Sequence, residues 1–132
     1  MNTFLRWCRF NLVGIVGMAV QLTCLTVLTR WIPEHYLIAS VAALEITLLH
    51  NFVWHVHYTW RDRPGSHAGM QRLLRFHLSN GMVSLAGNLL MMRLLVGEVL
   101  LPVLAANSIA ILVCSVVNFY LGDQWAFGVA GE

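Results

Sequence analysis

The sequence predicts an all-α membrane protein with four transmembrane helices. Of its 132 residues, 58% are hydrophobic and only 11% are charged, less than half of the charged fraction that is usual in soluble domains. Each bilayer crossing needs a helix of about 20 apolar residues, and the chain contains four apolar runs of that length. This composition excludes a soluble enzyme, an exported disulfide scaffold and a disordered adaptor.

The four apolar runs cover 10–29, 36–58, 76–96 and 102–121. The first run is longer than the about 7–15 residues of a signal-peptide core and no small-residue cleavage site follows it, which indicates a retained span. The first and third connections are short, so each pair of spans is predicted to form a helical hairpin. We therefore expect a single transmembrane domain over 1–132, with repeat one at about 6–60, the polar loop 61–72, and repeat two at about 73–127.

The orientation of the spans is predicted from the basic residues, all eight of which are arginines. They are concentrated before the first apolar run and between the second and third. Short loops rich in arginine stay in the cytoplasm, so both termini are expected to be cytoplasmic. A net charge of +2 is too small to indicate nucleic-acid binding.

An internal repeat relates the two predicted hairpins. Residues 9–12 (Arg-Phe-Asn-Leu) recur at 75–78 (Arg-Phe-His-Leu), an offset of 66, and the Asn-Phe pair at 51–52 recurs at 118–119, an offset of 67. Each copy contains an even number of crossings, so both copies enter the membrane from the same side. They are predicted to be parallel repeats about an axis along the membrane normal.

Four polar residues lie deep within the predicted spans, where each needs a partner or a purpose. Gln21 and Asn88 occupy equivalent positions near mid-membrane. They indicate either an interhelical amide hydrogen bond or the lining of a translocation path. Glu45 and Arg93 lie at similar depths and are predicted to form an intramembrane ion pair; the alternative makes Glu45 a proton or substrate site.

A second polar cluster is predicted at the cytoplasmic end of the bundle. Arginine there could hold the phosphate of a lipid headgroup. The candidates for contact with a lipid phosphate are Arg9, Arg61, Arg75, Asn51, His55 and Asn118. The alternative interpretation is structural, with the arginines fixing the topology and the histidine anchoring its helix at the interface.

Signals for catalysis and for metal binding are weak. His55 lies two residues before His57 and five after His50, and neither spacing matches the i, i+4 geometry of helical zinc ligands. The sequence contains no nucleophile elbow, phosphate-binding loop or dinucleotide fingerprint. It therefore predicts no catalytic residue, no metal site and no cofactor.

The duplicated pattern resembles that of GtrA-like proteins over nearly the whole chain, 6–127. It consists of Arg-Phe-x-x-x-Gly at 9–14 and Asn-Phe followed by aromatic residues at 51–60, repeated after a basic loop. The resemblance implies a four-span bacterial inner-membrane protein of cell-surface polysaccharide synthesis. Many members carry a basic residue just before the terminal aromatics, where this chain has Val56, His57, Asp123 and Gln124. This departure favours Arg9, Arg61 and Arg75 as phosphate contacts.

The sequence and the resemblance together leave three functions open. The first is translocation of a polyprenyl-phosphate-linked sugar, which the resemblance implies together with the second. The second is a non-catalytic membrane subunit that stabilises or recruits a polyprenyl-phosphate glycosyltransferase. The third is a small proton-coupled cation exporter, which ranks last because such exporters usually need a carboxylate in the first span, where this chain has Gln21. The expected partners are membrane lipids, the lipid-linked sugar, a glycosyltransferase under the second hypothesis, and further copies of the chain, since four short helices bury little.

Overall fold

The computed structural model describes residues 1–63 and 69–128, without the side chains of Tyr36, Leu37, Val103 and Leu104. Part of the predicted loop 61–72 and the last four residues of the predicted domain therefore lie outside the described residues. Those described are almost entirely helical and contain no strand. The prediction of an all-α protein with four helices is confirmed for this part of the chain.

Each of the four helices contains α-helical segments, and three of them also contain π-helical turns. The α-helical segments are α1 Thr3–Trp31, α2 Tyr36–Trp54, α3 Gly69–Phe76, α4 Asn88–Met92 and α5 Val103–Leu121. The π-helical turns are His55–Thr59 after α2, His77–Gly81 and Val83–Gly87 between α3 and α4, Arg93–Glu98 after α4, and Gly122–Ala126 after α5. The third helix is therefore continuous over 69–98 and begins within the predicted loop 61–72, before the predicted apolar run.

Two of the four helices are long and apolar enough to cross a membrane. They are Thr3–Trp31 and Ala105–Ala126. No other helix among residues 1–63 and 69–128 meets the same criteria of length and composition. The four-span topology and the cytoplasmic placement of both termini thus remain predictions.

The chain divides into two compact units, unit 1 over Met1–Asp62 and unit 2 over Arg63–Glu132. In unit 1, α1 packs against α2 and against the π-helical turn that follows it. In unit 2, α4 and the neighbouring π-helical turns pack against α5. Small side chains allow these close approaches between helices: the fully buried alanines within α2 and α5 are Ala39, Ala43, Ala106 and Ala110.

The elements of unit 2 repeat those of unit 1 at an offset of 67 residues. Adding 67 to the bounds of α2 gives the bounds of α5, and adding it to His55–Thr59 gives Gly122–Ala126. The helix ends are closed by equivalent bonds, since Trp60 N–H donates to His55 O and Phe127 N–H donates to Gly122 O, each at 2.8 Å. The second helix of each hairpin therefore ends in the same geometry.

A π-helical turn lies where the sequence repeat changes its offset. Arg9 and Arg75 are 66 residues apart, whereas Gly14 and Gly81 are 67 apart, so unit 2 contains one additional residue in between. The turn His77–Gly81 occupies this stretch, while α1 is α-helical throughout. A π-helical turn accommodates one extra residue without breaking the helix, which explains how the two copies stay in register.

Candidate functional site

The predicted phosphate contact Arg9 lies against the end of the second helix of unit 1. Its guanidinium carbon is 4.8 Å from the centroid of the Tyr58 ring. Its Nη1 also donates to Tyr58 O at 3.2 Å. The last carbonyl groups of a helix have no partner within the helix, so Arg9 satisfies one of them and remains half-buried.

Arg75 has the same environment in unit 2. Its Nη1 donates to Trp125 O at 3.2 Å, and its guanidinium carbon is 5.8 Å from the Trp125 ring centroid. Tyr58 and Trp125 are 67 residues apart. Two predicted phosphate contacts are therefore equivalent arginines, each lying over an aromatic ring at a helix end. The aromatic partners are not predictable from the sequence pattern alone, although the repeat offset relates both pairs.

A second arginine in each unit is buried. Arg6 is 5% exposed, and its Nη2 donates to Asp62 Oδ2 at 2.8 Å. Arg72 is 7% exposed; its Nη2 donates to Arg63 O at 3.2 Å, and its guanidinium carbon is 4.9 Å from the centroid of the Phe127 ring. These two arginines hold each hairpin end together, whereas Arg9 and Arg75 lie nearer the surface.

An ion pair lies at the end of the hairpin in each unit, Arg6 with Asp62 and Arg63 with Asp123. Partial desolvation raises the pKa of Asp62, but the hydrogen bonds and charge of Arg6 outweigh it, so the pKa lies below its ordinary value. In unit 2, Arg63 pairs with Asp123 Oδ1 at 3.1 Å and donates to Asp123 O at 2.8 Å. The remaining phosphate candidate, Arg61, is exposed.

His55 lies in the aromatic core of unit 1 and is 1% exposed. Its ring is stacked on Phe10, with centroids 4.8 Å apart and planes 10° apart, and it meets Trp60 edge-on at 5.2 Å. Its Nδ1 is 3.0 Å from Thr59 Oγ1. The structure therefore places this predicted phosphate contact among buried aromatic residues.

Asn51 and Asn118 are buried at equivalent positions, each 8% exposed. Asn118 Nδ2 donates to Ser84 Oγ at 3.2 Å. Asn51 packs so closely against Gly17 that a Cβ added there would collide with its amide. Gly17 and Ser84 are themselves 67 residues apart. Each asparagine therefore packs against the equivalent position in the first helix of its own unit.

The remaining predicted residues do not come together within a unit. Gln21 and Asn88 are half-buried, and Glu45 and Arg93 are exposed. Gln21 and Glu45 belong to unit 1, whereas Asn88 and Arg93 belong to unit 2. Their pairing as an amide contact and as an ion pair therefore stays a prediction.

An apolar cleft lies between α1 and the second helix of unit 1. Its volume is about 170 Å³, and it is lined by Leu12, Val13, Val16, His50, Trp54 and Tyr58. Tyr58 is also the ring that carries the guanidinium of Arg9. The cleft therefore has a cation at the edge of an otherwise apolar lining.

The described ranges, 1–63 and 69–128, contain no group of three or more His, Cys, Asp or Glu side chains that could hold a metal ion. The three cysteines are free thiols. The arrangement of arginine, aromatic ring and apolar cleft is suited to binding an amphipathic anion.

Helical hairpins with buried amides and arginine-closed ends define a small helical membrane domain. A family model described as the GtrA/DPMS transmembrane domain matches residues 9–130. The match covers most of the chain, which therefore belongs to this family of membrane proteins of glycan-precursor biosynthesis. Members are typically non-catalytic membrane components. A comparison with curated proteins gives no match.

Proposed function

We propose that the protein translocates a polyprenyl-phosphate-linked sugar across the bacterial cytoplasmic membrane. The observation that carries this proposal is the apolar cleft of unit 1 with Arg9 at its edge. A lipid with a long apolar chain and an anionic headgroup matches such a surface in both parts. Membership of a family of glycan-precursor biosynthesis supports a lipid-linked glycan precursor as the substrate.

The chemistry of Arg9 suits the phosphate. A guanidinium has five N–H donors in a planar fork that matches two phosphate oxygens. One donor of Arg9 binds the Tyr58 carbonyl, and the Tyr58 ring supports the guanidinium plane from below. The side chain is thus held in one orientation before the lipid arrives, which lowers the entropy lost on binding.

The other candidates have supporting places in this proposal. Arg75 repeats the Arg9 arrangement in unit 2, and the exposed Arg61 can attract the anionic headgroup from a distance. Gln21 and Asn88 would line the path of the headgroup while the prenyl chain stays in lipid. The buried Asn51 and His55 would maintain the hairpin of unit 1 beside that path.

The test is movement of a fluorescent polyprenyl phosphate sugar between leaflets of vesicles that contain the purified protein. Arg9→Gln should slow the protein-dependent rate about tenfold, because a charge-assisted hydrogen bond contributes about 1.5–3 kcal/mol. Arg9→Lys should recover only part of the rate, since an ammonium lacks the planar fork. Arg30→Gln, an exposed arginine near the opposite end of α1, is the matched control. An unchanged rate with Arg9→Gln, or no acceleration by the wild type, would refute the proposal.

A non-catalytic subunit of a glycosyltransferase is the second candidate, and it agrees with the typical role of the family. Small residues on helix faces would suit contact with a partner helix, but Ala39, Ala43, Ala106 and Ala110 are fully buried. A partner would therefore meet the exposed isoleucine, leucine and valine side chains. Co-purification from native membranes separates the candidates: a stoichiometric glycosyltransferase, together with absent lipid movement, would favour the second.

A further inference from the structure

Two buried amide oxygens of unit 2 accept no hydrogen bond from the described residues. They are Oδ1 of Asn88 and Oδ1 of Asn118. Asn118 is 8% exposed, and its Nδ2 already donates to Ser84 Oγ. Ser84 and Asn88 are four residues apart on one continuous helix, so the two asparagines lie near the same turn. Unit 2 therefore contains two buried hydrogen-bond acceptors close to one another.

Such acceptors are costly inside a membrane. A buried group that loses its hydrogen bond destabilises a protein by about 1–3 kcal/mol, and lipid supplies no water to replace the missing donor. Leucine at either position would avoid this cost with a side chain of similar size. A ligand that donates hydrogen bonds to the two oxygens would explain why these positions carry asparagine and not leucine.

Unit 1 has a histidine nitrogen beside the corresponding amide oxygen, and the described residues of unit 2 have no such partner. Asn51 Oδ1 is 3.2 Å from His50 Nδ1, so the tautomer of His50 that carries its hydrogen on Nδ1 would donate to the amide oxygen. The residue 67 positions after His50 is Val117, which has no polar side-chain atom. The difference between these two positions leaves the Asn118 oxygen without a donor among the described residues of its own unit.

We infer that Asn88 and Asn118 form an acceptor site for the hydroxyl groups of the lipid-linked sugar, which rests on the proposed function. An amide oxygen repels a phosphate but accepts from a hydroxyl. A site built around hydroxyl donors discriminates strongly against a ligand without them, so these residues would determine selection for the glycosylated lipid.

The experiment compares two kinds of lipid on the full chain in nanodiscs. The probes are polyprenyl phosphate itself and its glucosyl, galactosyl, mannosyl and N-acetylglucosaminyl esters, with affinities measured by native mass spectrometry. The wild type should bind at least one ester about tenfold more tightly than the bare phosphate, as one or two hydrogen bonds would give. Asn88→Leu and Asn118→Leu should abolish this preference and keep the affinity for the bare phosphate. Asn80→Leu, a half-buried amide on the same helix, should leave the preference intact.

A further variant avoids removing either amide. Val117→His places a histidine ring where unit 1 has His50. A hydrogen bond from this ring to Asn118 Oδ1 should compete with the sugar hydroxyl and lower the preference for the ester. Equal wild-type affinities for all the probes would overturn the site and indicate structural water at the amides. Retention of the preference in Asn88→Leu would overturn it as well. A wild type that binds none of the lipids would instead refute the proposed function itself.

Discussion

The two units share one hairpin design, yet they differ in their first helix and in their polar interior. α1 of unit 1 is an uninterrupted α-helix of 29 residues, whereas the corresponding helix of unit 2 contains three π-helical turns. In unit 1 the buried asparagine oxygen contacts a histidine nitrogen, and the equivalent oxygen of unit 2 has no hydrogen-bond partner among the described residues. The helix ends and the arginine contacts therefore define the hairpin, whereas the middle of the first helix can differ between the two units.

The comparison is tested most severely by single-residue deletions in the two first helices. Deleting Asn80 removes the extra residue of the turn His77–Gly81 and should leave a folded hairpin with one more α-helical turn. Deleting Leu12 from α1 turns Arg9 by about 100° relative to the rest of the helix, so its contact with Tyr58 should be lost and unit 1 should unfold. Far-UV circular dichroism and thermal unfolding in detergent measure both. Similar losses from the two deletions would contradict this account of the π-helical turn.

The next largest effect is expected in the aromatic core of unit 1. Trp60 is fully buried and lies against Phe10 and His55, so Trp60→Ala should destabilise the protein by about 3–5 kcal/mol. Phe127→Ala removes the smaller equivalent ring in unit 2 and should cost less. Trp31, 81% exposed, provides the control Trp31→Ala, with little change expected. Chemical denaturation in micelles gives the free energies, and a cost for Trp31→Ala that equals that of Trp60→Ala would contradict the assignment of this core.

A moderate effect is expected where the buried asparagines meet the preceding helix. Gly17→Ala should destabilise unit 1 by about 1–3 kcal/mol, because the added methyl group overpacks a filled site occupied by Asn51. Ser84→Ala in unit 2 loses only the hydrogen bond from Asn118, at about 1 kcal/mol. Gly14→Ala has open space around it and should be neutral or slightly stabilising. Thermal shifts in detergent rank the three variants, and a larger loss from Gly14→Ala than from Gly17→Ala would refute the packing argument.

The smallest effect concerns acid stability at the end of unit 1. The pKa of Asp62 lies below its ordinary value because Arg6 outweighs partial desolvation, so the ionised form is favoured by folding. This stabilisation is present above an ordinary pKa of about 3.9 and is lost as the pH falls through the lower folded pKa. Asp62→Asn should reduce stability at neutral pH by less than about 1 kcal/mol and flatten its acid dependence. A slope in unfolding titrations that matches the wild type would exclude this contribution.

Helix number, the repeat and the family resemblance could be predicted from the sequence because they depend on apolar run length and on the spacing of Arg-Phe and Asn-Phe pairs. The environments of particular side chains could not. His55 is polar and lies near a predicted span end, so the sequence predicts it at the membrane interface. Its stacking on Phe10 depends instead on how α1 and the end of the second helix meet. The aromatic partners of Arg9 and Arg75 lie about 50 residues away along the chain, a separation that local patterns do not resolve.

The arginine contacts also bear on how the chain matures during synthesis. Arg6 and Arg9 reach Asp62 and Tyr58 inside unit 1, so the first hairpin has all of these stabilising contacts once residue 62 has left the ribosome. Chains generally fold from the N-terminus as they are made. The first half can thus be completed beside the translocon while the second is still being translated, which would spare the nascent protein a long exposure of unpaired charge to lipid.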